Sequence, residues 1–293
     1  MRVRDIILAL FAMALWGLNF ALAKLALAEF PPILLAALRF TLVAVVLVPI
    51  RPRLVRPLSL LALAMTLGFI HFPMVFSGLR LLDASTSAVV LQLQVPFGVL
   101  LAALLIGERV RWQDWIGMVI AFAGVALIAG APRLGSSHLG LAFLLVAAFG
   151  WGLSTVQLKK IGPIDPLTLN GWLGLFIAIE LWAVSAVVDG SPLPFIAHST
   201  WRGWIGMSYT ALVSTIVAYG AWAYLVHRYP VGRTMPFMLL IPLFAILGGI
   251  ALNGDRLTID IVAGGALTIV GVGLIVIRWP RRRPLAAPAA GAA

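Results

Sequence analysis

No cysteine occurs anywhere in the chain, which excludes disulfides, thiolate metal ligands and cysteine nucleophiles. Charge is scarce too: Asp, Glu, Lys and Arg make up 11% of residues, less than half of the ~25% usual in soluble domains. Too few polar side chains remain to clothe a surface in water. Acids are the scarcer sign, 10 against 21 bases, and His occurs 4 times. There is no His-Glu-x-x-His pair, no phosphate-binding Gly-Lys-Ser loop and no acidic dyad, so no catalytic residue, resident metal or cofactor is expected.

What is abundant is apolar surface, with 62% of the 293 residues hydrophobic. Apolar stretches of ~20 residues, enough to cross a hydrocarbon core of ~30 Å, recur along almost the whole length. Punctuation by Pro, Gly and charge predicts spans at 5–28, 31–50, 58–80, 84–106, 113–130, 139–160, 166–188, 201–227, 231–252 and 260–278. The first run contains Trp16 and Asn19, exceeds a signal-peptide core and reads as a retained helix. The fold expected is therefore all-α and integral to a membrane, with ten transmembrane helices and a disordered tail at 280–293.

The net charge of +11 points to orientation in a membrane rather than to nucleic acid, because the bases lie in short loops between apolar runs. Fifteen of the 21 Lys and Arg, among them Arg2, Arg51, Arg109, Lys159 and Arg228, fall in one set of alternate loops. Five, Lys24, Arg80, Arg133, Arg202 and Arg256, fall in the other, and Arg39 lies within a span. That bias places both termini in the cytoplasm, as expected of a multi-pass protein of a cell inner membrane.

The sequence repeats itself. Trp16-Gly17, Lys24 and Pro31 recur 135 residues later as Trp151-Gly152, Lys159 and Pro166. Gly107-Glu108-Arg109, Gly117 and Gly124 recur 147 residues later as Gly254-Asp255-Arg256, Gly264 and Gly271. The longer loop at 189–200 can hold the difference. Five spans are an odd number, so a second copy must run through the membrane in the opposite direction. Two inverted five-helix repeats, 1–130 and 131–279, are expected, an architecture common among alternating-access transporters. The seven-residue spacing of Gly117 and Gly124, and of Gly264 and Gly271, puts each pair on one face and predicts close packing of the fifth helix on the tenth. A seam between two copies in a homodimer is the rival use of the same faces.

The stretch Ala14-Leu-Trp-Gly-Leu-Asn-Phe20 with Lys24, then Ala37-Leu-Arg-Phe40 and Gly107-Glu108-Arg109 leading to Gly117 and Gly124, resembles the EamA-type branch of the drug/metabolite transporter superfamily, including its exporters of aromatic and other amino acids. The resemblance spans the whole chain and implies metabolite export through a central cavity between the halves. The small four-helix members of that superfamily use a Glu in their first helix. Here that helix carries Asn19 and no carboxylate before Glu29, so the resemblance does not extend to that route of proton coupling.

Candidate substrate contacts are Trp16 and Asn19 in the first span with Trp151, Ser154 and Thr155 in the sixth, clusters at helical spacing in repeat-related helices. Amides and hydroxyls there could hold an amino acid's ends while indoles meet its side chain; interhelical packing is the alternative use. His71, ahead of Phe72-Pro73, is an ionisable group inside a span and a candidate by that fact, with a neutral packing histidine the alternative. Gln92 and Gln94 precede Pro96, cannot share a face, and Gln94 is the one carried forward. Tyr219 matches the neighbourhood of His71 in the other half. Arg39 and Glu180 each lie eight residues inside a periplasmic span end, ~12 Å deep at 1.5 Å per residue, so a direct pair between them is one expectation. Arg39 bound to backbone carbonyls or a lipid phosphate, beside a neutral Glu180, is the other.

These features favour an exporter of a zwitterionic or neutral small solute, aromatic or other apolar amino acids first, since little fixed charge is expected in the cavity. The partners implied are that solute and membrane lipid, not nucleic acid. An intramembrane enzyme using His71 and Glu180, or a receptor or scaffold that transports nothing, are the readings from other classes.

Overall fold

The computed structural model describes residues 1–81, 90–129, 138–245, 247 and 259–276, and these are helical with no strand among them. Helix α1 is Val3–Leu27, α2 is Pro32–Leu47, and α3 is one rod over 57–81 with an internal π segment, Thr66–His71. Then follow α4 Gln94–Ile106, α5 Trp112–Ala129, α6 His138–Ile161 and α7 Pro166–Val188. Helix α8 is Trp201–Arg228 with a π segment, Tyr209–Tyr219; α9 is Val231–Ala245, tightened to a 3-10 helix over Met235–Leu240; α10 is Ile259–Val276. A short helix, Leu193–His198, lies in the expected loop between α7 and α8. The expected tail at 280–293, the Gly254-Asp255-Arg256 turn, Arg133 and the first part of the fourth expected span lie outside the described residues.

Local chemistry sets the boundaries. Pro32, Pro57 and Pro166 open α2, α3 and α7, at the first turn where a missing N–H costs nothing. The Asp165 carboxylate caps α7 by accepting from the Thr168 N–H at 3.0 Å and is bridged by Arg51 at 3.3 Å. Gly107 and Gly162 stop α4 and α6 at φ of +67° and +77°, a conformation that a side chain would strain.

Four rods, Pro57–Val75, His138–Ile161, Pro166–Val188 and Trp201–Arg228, are long and apolar enough to cross a membrane by length and composition. Outward-facing apolar side chains agree: Leu58, Leu104, Val119 and Val187 are each at least 67% exposed. Such apolar exposure suits lipid and not water. This is a multi-pass membrane protein.

Packing follows the glycines. Helix α10 runs along α5, and a methyl placed on Gly117 would stand 2.7 Å from the Gly271 carbonyl, one on Gly124 2.5 Å from the Gly264 carbonyl. The close approach predicted from the seven-residue spacing is thus present within one chain. Glycine brings α1 onto α9 and α6 onto α4 as well, with Gly17 2.8 Å from Ala245 N and Gly152 2.7 Å from Gly98 N by the same measure. Helix α2 packs along α7, α3 and α4 on α6, and the π segment of α8 on α1.

Candidate functional site

The two π segments border the centre of the bundle. In α3 the shift has a local cause: Pro73 has no N–H, and the Phe72 N–H reaches back five residues to Leu67 O. In α8 the Thr215 hydroxyl donates to Thr210 O, five residues back, at 2.8 Å, filling an acceptor that the wider turn leaves open. Both segments end on a side chain of the central cluster, His71 and Tyr219.

Those side chains meet the paired tryptophans of α1 and α6. Trp16 and Trp151 lie edge to face with ring centroids 5.9 Å apart; Tyr219 is 5.2 Å from Trp16 and 5.7 Å from Trp151; His71 is 5.0 Å from Trp151. Trp222 joins at 5.7 Å from Trp16. Such contacts add stability beyond area burial, ~0.5–1.5 kcal/mol per aromatic pair. Polar edges are fixed too. Trp16 Nε1–H donates to Ser214 O at 3.1 Å, within the π segment of α8, and His71 Nδ1–H donates to Ala147 O on α6 at 2.9 Å. His71 thus has its Nδ1 edge engaged while its ring borders the cluster.

Beneath the rings is a cavity of about 30 Å³ lined by Trp151, Ser154, Thr155, Asn170, Tyr219 and Trp222 together with apolar residues of α3, α6 and α7. It has room for about a water or two, far below the ~300–1,000 Å³ of a ligand pocket. The central space is small in this conformation. Ser154 and Thr155 line it, yet their hydroxyls donate back to Trp151 O at 2.8 and 3.1 Å. Asn19 and Gln94 are not in its wall, and the buried Asn19 Oδ1 has no hydrogen-bond partner.

At the end of the bundle bearing Lys159 and Arg228 the centre is closed by ionic contacts. Glu108, from the Gly-Glu-Arg motif after α4, meets Lys159 at 3.3 Å and accepts from Gly232 N–H at 3.3 Å. Lys159 also donates to Val226 O at 3.1 Å and to Tyr229 O. Asp5 meets Arg228 at 3.5 Å and accepts from the Tyr229 hydroxyl. At the opposite end Glu29 accepts from Thr200 Oγ1 at 2.6 Å and from its N–H at 2.5 Å. The Thr200 hydroxyl donation holds the Glu29 carboxyl below its usual range.

The direct pair between Arg39 and Glu180 does not form. Arg39 Nε donates to Thr215 Oγ1 at 2.7 Å, and its guanidinium lies against the rings of Phe40, Tyr219 and Phe72 at 5.2, 5.8 and 6.0 Å. Glu180, 7% exposed, sits against Gly68, and neither of its carboxyl oxygens has a hydrogen-bond partner. The equal depth expected from the sequence did not decide a partner: lateral packing sent each charge to a different neighbour. Arg39 docks on the π segment of α8 and Glu180 on that of α3, at Thr215 and Gly68, which are themselves 147 residues apart.

Sequence reasoning missed Asn170 and Trp222 in the cavity wall. The position 135 residues before Asn170 is Leu35, so the search for repeated polar pairs passes over it. Trp222 stands among six aromatics of α8, and composition alone could not tell which face inward. No sequence signal marks the α8 π segment.

A model of the EamA-like transporter family matches the chain twice, over residues 4–130 and 138–277. A protein of Escherichia coli (strain K12) named "Probable amino-acid metabolite efflux pump" is 33% identical over 94% of this chain and 96% of its own length. Its namesake in Salmonella typhimurium is 32% identical over 96% of this chain and 97% of its own. A solved crystal structure with 20% identity superimposes with a TM-score of 0.76, covering 94% of this chain and 96% of that one, which is a likeness of fold.

Proposed function

This chain belongs to the EamA-like transporter family, and from that premise we propose that it exports small metabolites, amino acids with aromatic or apolar side chains first, across a cell inner membrane. Two inverted five-helix halves, 1–130 and 131–279, rock against each other to expose a central site alternately. Both termini lie in the cytoplasm, on the side that the excess of Lys and Arg marks. The observation that carries this reading is the central ring cluster. Trp16 and His71 of the first half and Trp151 and Tyr219 of the second converge over a hydroxyl- and amide-lined cavity.

Two things support the halves and their inversion. The family model matches each half separately. Contacts are exchanged by the repeat offsets: Gly117 meets Gly271 as Gly124 meets Gly264, and Gly17 meets Phe244 and Ala245 as Gly152 meets Phe97 and Gly98. That reciprocity is what a twofold relation between halves requires. Opening the cavity then means parting the Glu108–Lys159 and Asp5–Arg228 contacts on the proposed cytoplasmic side, or the Glu29–Thr200 contact on the other. The substrate-contact assignment of Trp16, Trp151, Ser154, Thr155, Tyr219 and His71 belongs to this proposal, as does that of Asn19 and Gln94 in an opened state.

The names of the relatives direct the choice of solute. The test is uptake of labelled phenylalanine and other amino acids into liposomes containing only the purified protein. Saturable uptake above that of protein-free liposomes is expected, and none for any amino acid would end the amino-acid reading.

A further inference from the structure

The candidates outside the proposed cavity wall are the groove lined by Arg2, Arg228 and Arg233, the unpartnered carboxyl of Glu180, and Arg39. The observations reach furthest at Arg39. We propose that Arg39 recognises the carboxylate of the transported solute, which makes the carrier selective for amino acids over the corresponding amines. This deepens the export reading above and rests on it.

An arginine in a span is expensive and is found paired with an acid, bonded to backbone carbonyls or serving function. Among the described residues the acids that hold ionic or hydrogen-bonded partners are engaged elsewhere: Asp5 with Arg228, Glu29 with Thr200, Glu108 with Lys159, Asp114 with Arg111, Asp165 with Arg51 and Asp189 with Ser185. Glu180 lies against Gly68. Among the described residues Arg39 therefore has no acidic partner: Nε donates to the neutral hydroxyl of Thr215, and the guanidinium also hydrogen-bonds the neutral hydroxyl of Tyr219. A guanidinium carries five N–H donors in a fork that matches a carboxylate. Its outer nitrogens are the bidentate edge.

Position completes the argument. Arg39 is separated from the central cavity by the ring of Tyr219, which lies 5.8 Å from the guanidinium carbon and itself lines the cavity. Tyr219 also ends the π segment of α8, where hydrogen bonding to the helix is already rearranged. Movement of this one ring joins the cation to the space framed by Trp16 and Trp151. A solute with an apolar side chain and a carboxylate then places the first among the indoles and the second on Arg39. The structure thus supplies a fixed positive charge beside a site whose sequence suggested none.

The experiment measures exchange of labelled phenylalanine in liposomes containing the purified full chain, and its inhibition by unlabelled phenylalanine or by phenylethylamine, which lacks only the carboxylate. Wild-type protein should favour phenylalanine by about tenfold or more, the discrimination that a charge-assisted hydrogen bond confers. Arg39→Gln should bring that ratio toward one, and Arg39→Lys, a point charge without the fork, should keep part of it. Thr215→Val removes the bond that orients the guanidinium. It serves if Arg39→Gln does not fold, and should raise KM for phenylalanine while leaving inhibition by phenylethylamine unchanged. Equal inhibition of the wild type by both compounds overturns the inference and leaves the exporter standing. Loss of both activities in parallel, with the ratio kept, assigns Arg39 to packing and also overturns it. If the wild type exchanges phenylalanine with neither compound, the amino-acid reading itself fails and takes this one with it.

Discussion

Placing a side chain at Gly124 should separate α5 from α10. A Cβ there would stand 2.5 Å from the Gly264 carbonyl oxygen, 2.5 Å from Thr268 Oγ1 and 2.6 Å from Thr268 N, about 0.9 Å inside the 3.4 Å at which ordinary contact begins. Two of these three obstacles are backbone atoms, so no rotamer change relieves them. Separation by that amount would forfeit roughly a quarter to a half of the dispersion attraction between atoms in contact across the seam. Overpacking typically costs ~1–3 kcal/mol. For Gly124→Ala the helix-propensity gain of about 1 kcal/mol over glycine offsets part, leaving a loss of up to about 2 kcal/mol. Gly124→Leu adds three more carbons where none fits and should lose about 3 kcal/mol or more. Gly232→Ala, whose nearest neighbour would be Val99 at 4.0 Å, is the control: it meets no clash and should not destabilise. Unfolding of purified protein in mixed micelles, followed by the fluorescence of its 10 tryptophans, reads these differences. An intramolecular seam makes them independent of protein concentration, whereas a seam between two copies makes them depend on it. Gly124→Leu protein with wild-type yield and midpoint would refute the reasoning.

Trp16→Phe keeps a ring in the cluster but removes the N–H donated to Ser214 O; it should cost ~0.5–1.5 kcal/mol in the same unfolding assay and slow phenylalanine exchange. Lys159→Met leaves Glu108, whose side chain is 15% exposed, without its cation. A Ser154→Cys probe in this otherwise cysteine-free chain should then react faster with a polar thiol reagent from the Lys159 side, and an unchanged rate would argue that this contact does not gate the cavity. Because the Thr200 hydrogen bond lowers the folded value of Glu29, its contribution is present above the ordinary 4.5 and lost as pH falls through the lower folded value. The difference in unfolding midpoint between wild type and Glu29→Gln should therefore be constant at neutral pH and shrink only in acid.

Much of this molecule is legible in one dimension. The order and type of the helices follow from apolar runs cut by Pro31, Pro57, Gly107, Pro166 and charged turns, because backbone groups in lipid must be satisfied within the helix itself. The pairing of α5 with α10 follows from glycines seven apart, since helical periodicity reports which residues share a face. The meeting of Trp16 with Trp151 is prefigured by their equivalence in the repeat. Periodicity and depth do not report which neighbour a face meets. Arg39 and Glu180 each lie eight residues inside a predicted span end, and α2 does pack along α7, yet one charge reaches Thr215 and the other Gly68. Asn170 and Trp222 enter the cavity wall and Asn19 does not, a choice made by the rotation of each helix against its neighbours. The π segment of α8 and the closure of the centre to about 30 Å³ likewise exist only once the helices are packed. The sequence by itself determined the helices and their glycine seams, because these are local or pairwise properties of one helix face. Only the tertiary structure decided the partners of the buried charges and the small central space, because these depend on the lateral arrangement of several helices at once.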